Sequence, residues 1–205
     1  MSNFKTAMVI LAAGSSSRMG ECKFLLKNHN QISFLESEIE SSLLLNINRL
    51  VVVTSKLYEC QVNEIIKKIN SKIIDLVINL KPQKERFYSL QCGLNKIIDF
   101  DYCFVHNADN PFINLHTCNK LLENGKNADV LIPTFNNKGG HPILINNFSI
   151  NYLLKLKWDS NLKEVIKNLK SKRIETNDPC ILTNIDTVKD YDIYLENNLT
   201  QLVNN

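Results

Sequence analysis

Ala7-Met8-Val9-Ile10-Leu11 runs without a break into Ala12-Ala13-Gly14-Ser15-Ser16-Ser17-Arg18-Met19-Gly20-Glu21-Cys22-Lys23. The first five residues are a short, wholly apolar run closed by a glycine, the pattern of a buried strand. Behind them, two glycines, three serines and two cations crowd into one loop. Such a loop turns backbone N–H groups toward a single anion, serine hydroxyls add donors, and Arg18 and Lys23 set positive charge against a polyphosphate. The glycines are six apart, which does not make a dinucleotide fingerprint, and no Gly-Lys-Ser/Thr follows the second one, so the loop is not a P-loop. The plain alternative is a strand-to-helix turn with Arg18 and Lys23 in solvent.

Apolar runs and helical periods alternate from this point onward. Arg49–Thr54, Ile73–Asn79, Asp101–His106, Asp129–Pro133 and Pro142–Ile145 read as strands, with Arg173–Asn177 as a last one. Ser33 to Asn46 is predicted helical, because Ser33 and Glu36 form a capping box and Leu35, Ile39, Leu43 and Leu44 share a face. Helical spacing recurs over Tyr58–Asn70, Phe87–Ile98, Leu115–Leu122 with Gly125 as its stop, Asn161–Leu169 capped by Asp159 or Ser160, and Thr187–Leu195. Strands alternating with helices imply βαβ units, hence an α/β fold whose mainly parallel sheet is covered on both faces. Ligands of such folds lie at the carboxyl ends of the strands. That rule singles out the segments after Leu11, Asn79, His106 and Pro133.

Composition narrows the class. The 205 residues suffice for one domain, expected over 1–205, and 44% hydrophobic with 22% charged residues excludes disordered, collagen-like and coiled-coil chains. No apolar run nears the roughly 18 residues that cross a bilayer. Ala7–Ala13 ends in a glycine-containing loop without a small-residue cleavage site, so it does not read as a signal peptide. At a net charge of +3, neither nucleic acid nor a membrane surface is an expected partner. Cys22, Cys60, Cys92, Cys103, Cys118 and Cys180 include no pair at metal-knuckle spacing and read as reduced thiols of a cytoplasmic protein. Asparagine is abundant throughout, so no isolated Asn counts as a functional signal.

Leu11 to Leu26, LAAGSSSRMGECKFLL, resembles the signature loop of the MobA-like NTP transferases, most of all the enzymes that attach CMP or GMP to the molybdenum cofactor. The resemblance implies a Rossmann-like three-layer αβα fold of the nucleotide-diphospho-sugar transferase type. In that fold Leu11, Ala12, Ala13, Gly14, Ser15 and Ser16 wrap the triphosphate and base, and Arg18 and Lys23 are the catalytic, phosphate-binding cations.

Four further segments resemble family blocks. Arg86 to Leu94 (RFYSLQCGL) is similar to the S-L-x-x-G-L block, with Glu85-Arg86 where Gly-Met is usual. It implies that Ser89, and Asn79 at the end of the third strand, lie near the nucleotide; the alternative for Ser89 is a helix-capping or first-turn serine. His106 to Phe112 resembles the D-x-P-F block, whose Asp, here Asp109, holds Mg²⁺. A carboxylate at a strand's carboxyl end can face a triphosphate where Mg²⁺ bridges its oxygens; otherwise Asp109 is an Asx-turn residue before a proline. Cytidylyltransferases of isoprenoid synthesis have a related H-D-A-A-R-P block with Asp where this chain has Asn107, which argues against that activity. His106 and Asn107 acquire no separate role. Gly139-Gly140-His141-Pro142 suits backbone approaching a ligand, and its G-H-P resembles the molybdopterin cytidylyltransferase branch, with His141 on the acceptor side or else a turn histidine. Thr183 to Thr187 resembles the D-I-D-T-P-E-D block, with Asn184 and Val188 as departures. Asp186 or Asn184 would complete a two-residue Mg²⁺ site with Asp109; the alternative is an N-cap cluster for the last helix.

Spanning about residues 7–190, the resemblance implies a Mg²⁺-dependent nucleotidyltransferase. It would transfer NMP from an NTP, CTP favoured, to a small phosphorylated acceptor, first of all a molybdopterin-type cofactor, and release pyrophosphate. The alternatives are a sugar- or alditol-phosphate nucleotidyltransferase, or a catalytically idle nucleotide-binding accessory protein that delivers cofactor to a molybdoenzyme partner.

Overall fold

The computed structural model describes residues 4–14 and 22–203. Its strands are β1 (Thr6–Ala12), β2 (Arg49–Ser55), β3 (Ile74–Asn79), β4 (Tyr102–Asn107), β5 (Val130–Phe135), β6 (Lys138–Gly139), β7 (Ile143–Asn146) and β8 (Ser171–Glu175). Between and after them lie α1 (Phe34–Leu43), α2 (Glu59–Ile69), α3 (Glu85–Leu94), α4 (Leu115–Glu123), α5 (Asn147–Lys155), α6 (Leu162–Lys167) and α7 (Val188–Val203). One sheet runs β3-β2-β1-β4-β7-β5-β6, with β8 paired to β5. β3, β2, β1 and β4 are mutually parallel, β7 enters antiparallel between β4 and β5, and β8 is parallel to β5. The expected three-layer α/β architecture with a mainly parallel sheet is therefore present.

Strand alternation divides the core into two layers. Met8, Ile10, Leu50, Val52 and Phe104 point to the layer of Leu35 and Ile39 from α1 and Val62 from α2. Ala7, Val9, Val51, Val53, Cys103 and Val105 point to the layer of Phe87, Leu90 and Leu94 from α3 and Ile150 and Leu153 from α5. Close approach of α3 explains Gly93: a Cβ there would stand 2.6 Å from Val9 Cγ1.

Several boundaries differ from the sequence expectation. The first helix ends at Leu43 rather than Asn46. Leu44 is thus 73% exposed, while Leu45 and Ile47 turn back into the core. α5 was not expected; Asn146 caps it by accepting from Ser149 N. Asn161, not Asp159 or Ser160, caps α6 by accepting from Lys163 N and Glu164 N. A further difference is the hairpin of β5 and β6, which turns on Asn136 and Asn137 in left-handed conformations. The six cysteines are unbridged, and Cys22, Cys103 and Cys118 are buried. Among the described residues no helix is long and apolar enough to cross a membrane.

Candidate functional site

The site lies where β1, β3 and β4 end. Leu11 and Ala12 are still buried, Ala13 is partly open and Gly14 is exposed. A Cβ on Gly14 would meet nothing within 4 Å, so the backbone there borders open space. Two bonds fix its base: Thr54 Oγ1 donates to the Ala12 carbonyl (3.0 Å) and Ala108 N to the Leu11 carbonyl (3.1 Å). Ser15, Ser16 and Arg18 lie outside the described residues. The chain returns through a 3₁₀ turn over Lys23–Leu25, where Lys23 Nζ donates to Asp186 Oδ1 at 2.5 Å.

Asp109 follows β4 in a turn closed by Asn110 N donating to the Asn107 carbonyl (3.0 Å). Its own carbonyl accepts from Ile185 N at 2.8 Å, which places Asp109 beside the loop that carries Asp186. Asp109 Oδ2 accepts from Arg86 at 3.0 Å, whereas Oδ1 is buried and has no hydrogen-bond partner among the described residues. A shielded, partnerless anionic oxygen is costly unless a cation meets it, so Asp109 fits the role of a divalent-metal ligand. Asp186 is more open, and its carboxylate is engaged by Lys23; Asn184 is exposed. No group of three or more His, Cys, Asp or Glu that could hold a metal occurs among the described residues. Mg²⁺ needs none, since it binds through one or two carboxylates together with substrate phosphates and water. The N-cap alternative applies to Thr187: its N–H and Oγ1 donate to Asp190 Oδ2, and Thr187 Oγ1 accepts from Asp190 N. These bonds hold the Asp190 carboxyl below the usual range.

Asn79 and Ser89 are both buried and bonded to each other, Nδ2 to Oγ at 2.9 Å, with Lys81 N donating to Asn79 Oδ1. Ser89 sits inside α3, whose N-cap is Lys84, so the capping alternative does not hold. On the other side of β4, His141 Nε2 accepts from Asn107 Nδ2 at 2.9 Å. Burial first, and then the Arg86 guanidinium, push the His141 pKa down. The neutral ring then carries its proton on Nδ1. Gly140 does not open toward a ligand as expected: a Cβ there would stand 2.2 Å from the Ile181 carbonyl oxygen, so this glycine is fitted to the chain itself, whereas Gly139 is exposed.

Arg86, His106 and Asn107 are neighbours of the candidate site residues that sequence reasoning leaves without a role. In β4, Phe104 and His106 fall on one face and Val105 and Asn107 on the other. A polar residue in each of two apolar rows is the signal that was available.

Fold and site together define a nucleotidyltransferase-type α/β protein with a carboxylate, Asp109, directly after β4. The chain belongs to the MobA-like NTP transferase domain family, whose model matches residues 8–174. It is 32% identical over 122 residues to 2-C-methyl-D-erythritol 4-phosphate cytidylyltransferase of Lachnoclostridium phytofermentans, a match covering 58% of this chain and about half (51%) of that relative's length. Molybdenum cofactor cytidylyltransferase of Escherichia coli is 24% identical over 184 residues, covering 89% of this chain and 92% of the relative. Rv0371c of Mycobacterium tuberculosis shares the fold with a TM-score of 0.82 at 19% identity, over 96% of this chain and 100% of that one. A structure of Rv0371c in complex with manganese gives 0.76 at 17% identity, over 94% and 98%.

Proposed function

We propose that this chain transfers a nucleoside monophosphate from an NTP, CTP favoured, to a phosphorylated acceptor of the molybdopterin type and releases pyrophosphate. The observation that carries the reading is the convergence of the open Gly14 backbone, the partnerless Asp109 Oδ1 and the Lys23–Asp186 pair at the carboxyl ends of β1 and β4. In the reaction an acceptor phosphate oxygen attacks the α-phosphorus, a new O–P bond forms, and the bond to the bridging oxygen breaks, with pyrophosphate leaving on the bonding pair. The acceptor phosphate is already ionised near neutral pH, so no strong base is required. Asp109, with Asp186 or Asn184, would hold Mg²⁺, which supplies charge neutralisation on the phosphate oxygens. Lys23, with Arg18 and the N–H groups of the loop, would stabilise charge developing on the leaving pyrophosphate. Anchoring of Leu11, Ala12 and Asp109 by short bonds sets the geometry that such a transfer depends on.

The manganese complex of Rv0371c supports a divalent cation, and the two relatives' names as cytidylyltransferases support CTP. Methylerythritol phosphate is a second acceptor reading, favoured by the relative at 32% identity. Against it stands Asn107, in the position where the related H-D-A-A-R-P block has Asp; here its amide donates to neutral His141. Thermal shift with each of the four NTPs and Mg²⁺ tests the nucleotide, because a ligand of the native state raises stability with the logarithm of its concentration over Kd. CTP is expected to give the largest shift. A larger shift with GTP moves the chain to the guanylyl branch, and no shift with any NTP favours the idle accessory protein.

A further inference from the structure

Two polar side chains interrupt the core directly beneath the Asp109 turn. His106, at the end of β4, is wholly buried and faces the layer that receives Phe104. Glu38, on α1, is buried within the same layer, with its Oε2 at 4.0 Å from His106 Nε2. An aliphatic residue at either position would pack as Met8, Ile10 and Leu35 do, without leaving buried polar atoms. Yet both Glu38 oxygens and His106 Nδ1 have no hydrogen-bond partner among the described residues. What the imidazole does contribute is one bond: its Nε2 lies 2.8 Å from the Asn110 carbonyl oxygen. A carbonyl only accepts, so Nε2 is the protonated nitrogen.

That bond falls at a sensitive point. Asn110 is fully buried and precedes Pro111, so the peptide joining them has no N–H and its carbonyl is the sole polar handle on the plane. The Asn110 side chain is held elsewhere, its Nδ2 within 3.2 Å of the Cys180 and Ile181 carbonyls. Asp109 is suspended between Ala108, tied to Leu11, and this Asn110 plane.

We propose that His106 is a positioning residue: its Nε2–H, by fixing the Asn110 carbonyl, aims the Asp109 carboxylate at the divalent cation. The proposal rests on the reading that Asp109 holds the metal. Glu38 shares the pocket without making this bond.

The test uses Mn²⁺ alone as the probe, with its dissociation constant read by calorimetry on the full chain, alongside hydrogen exchange of the 107–110 amides. His106→Leu is expected to weaken Mn²⁺ binding by roughly ten- to hundredfold, as loss of an outer partner of a metal ligand does, and to speed exchange in the turn. His106→Gln, which places an amide donor at the reach of Nε2, restores both. Glu38→Leu leaves both unchanged, because the bond remains. If His106→Leu proves too unstable to measure, the double variant Glu38→Leu/His106→Leu, whose pocket is apolar throughout, takes its place. Wild-type Mn²⁺ affinity in His106→Leu or in that double variant overturns the proposal. So does failure of His106→Gln to recover, or a loss in Glu38→Leu equal to that in His106→Leu. Asp109→Asn separates the two levels. If it leaves Mn²⁺ binding intact, the metal reading itself falls and His106 has no ligand to position. If it abolishes binding while His106→Leu does not, the positioning role alone is wrong.

Discussion

Asp109 and Asp186, the two carboxylates proposed to hold the metal, are held in opposite ways. Asp109 belongs to the sheet: it leaves β4, is 21% exposed in its side chain, and its turn is bonded to Leu11, His106 and Ile185. Asp186 belongs to the loop before α7, is 45% exposed, and its carboxylate is bound by Lys23 at 2.5 Å. One acid is therefore fixed by the framework with one oxygen unpartnered, and the other is coupled to Lys23. On the proposed reading, the first would set where the metal sits, while the second would release Lys23 when phosphate binds.

Four charge-changing variants put this contrast to the test. Asp109→Asn has the largest expected effect, a loss of nucleotidyl transfer of about a thousandfold, with the melting temperature maintained because the side chain serves no core contact. Steady-state pyrophosphate release and a melting curve check both halves. Lys23→Ala comes next, at about a hundredfold in turnover, the scale for one charge donor to a transition state; its loss also frees Asp186. Asp186→Asn costs no more than about tenfold, since an amide oxygen still binds Mg²⁺ and Asn184 lies two residues away. Equal losses for Asp109→Asn and Asp186→Asn would erase the distinction between them. Smallest is Arg86→Ala. Exposed ion pairs contribute about 0.2–1 kcal/mol, so removing the guanidinium that competes for Asp109 should tighten Mn²⁺ binding by roughly 1.4- to fivefold. Calorimetry that showed weaker binding instead would make Arg86 a supporter of the metal site and not its rival.

How much of this was legible in the sequence follows from the range of the interactions involved. AMVIL and RLVVVT announce buried parallel strands because both faces are apolar, and Asp109 announces itself by following a strand. Ser33 and Glu36 are a local pattern, and Ser33 Oγ does accept from Glu36 N. The α5 helix escaped because its cap is Asn146, one asparagine in a chain full of them; Asn114 and Asn161 cap α4 and α6 in the same way. Gly140 was misread for a different reason. A glycine beside His-Pro reports only that something comes close, and here that is the Ile181 backbone. The roles of Arg86, His106 and Asn107 depend on partners brought together by tertiary folding, with Arg86 reaching Asp109 and Asn107 reaching His141 across separate elements.

Nucleotidyl transfer directed by Asp109 is read out by pyrophosphate release from CTP by the wild-type chain and by Asp109→Asn. Each is assayed with Mg²⁺ or with EDTA, and with molybdopterin-type cofactor, methylerythritol phosphate or an alditol phosphate as acceptor. Acceptor-dependent pyrophosphate is expected from the wild type with Mg²⁺, greatest with the molybdopterin-type acceptor, and none above background in EDTA or in the variant. Equal release by Asp109→Asn, or by the wild type in EDTA, would contradict it.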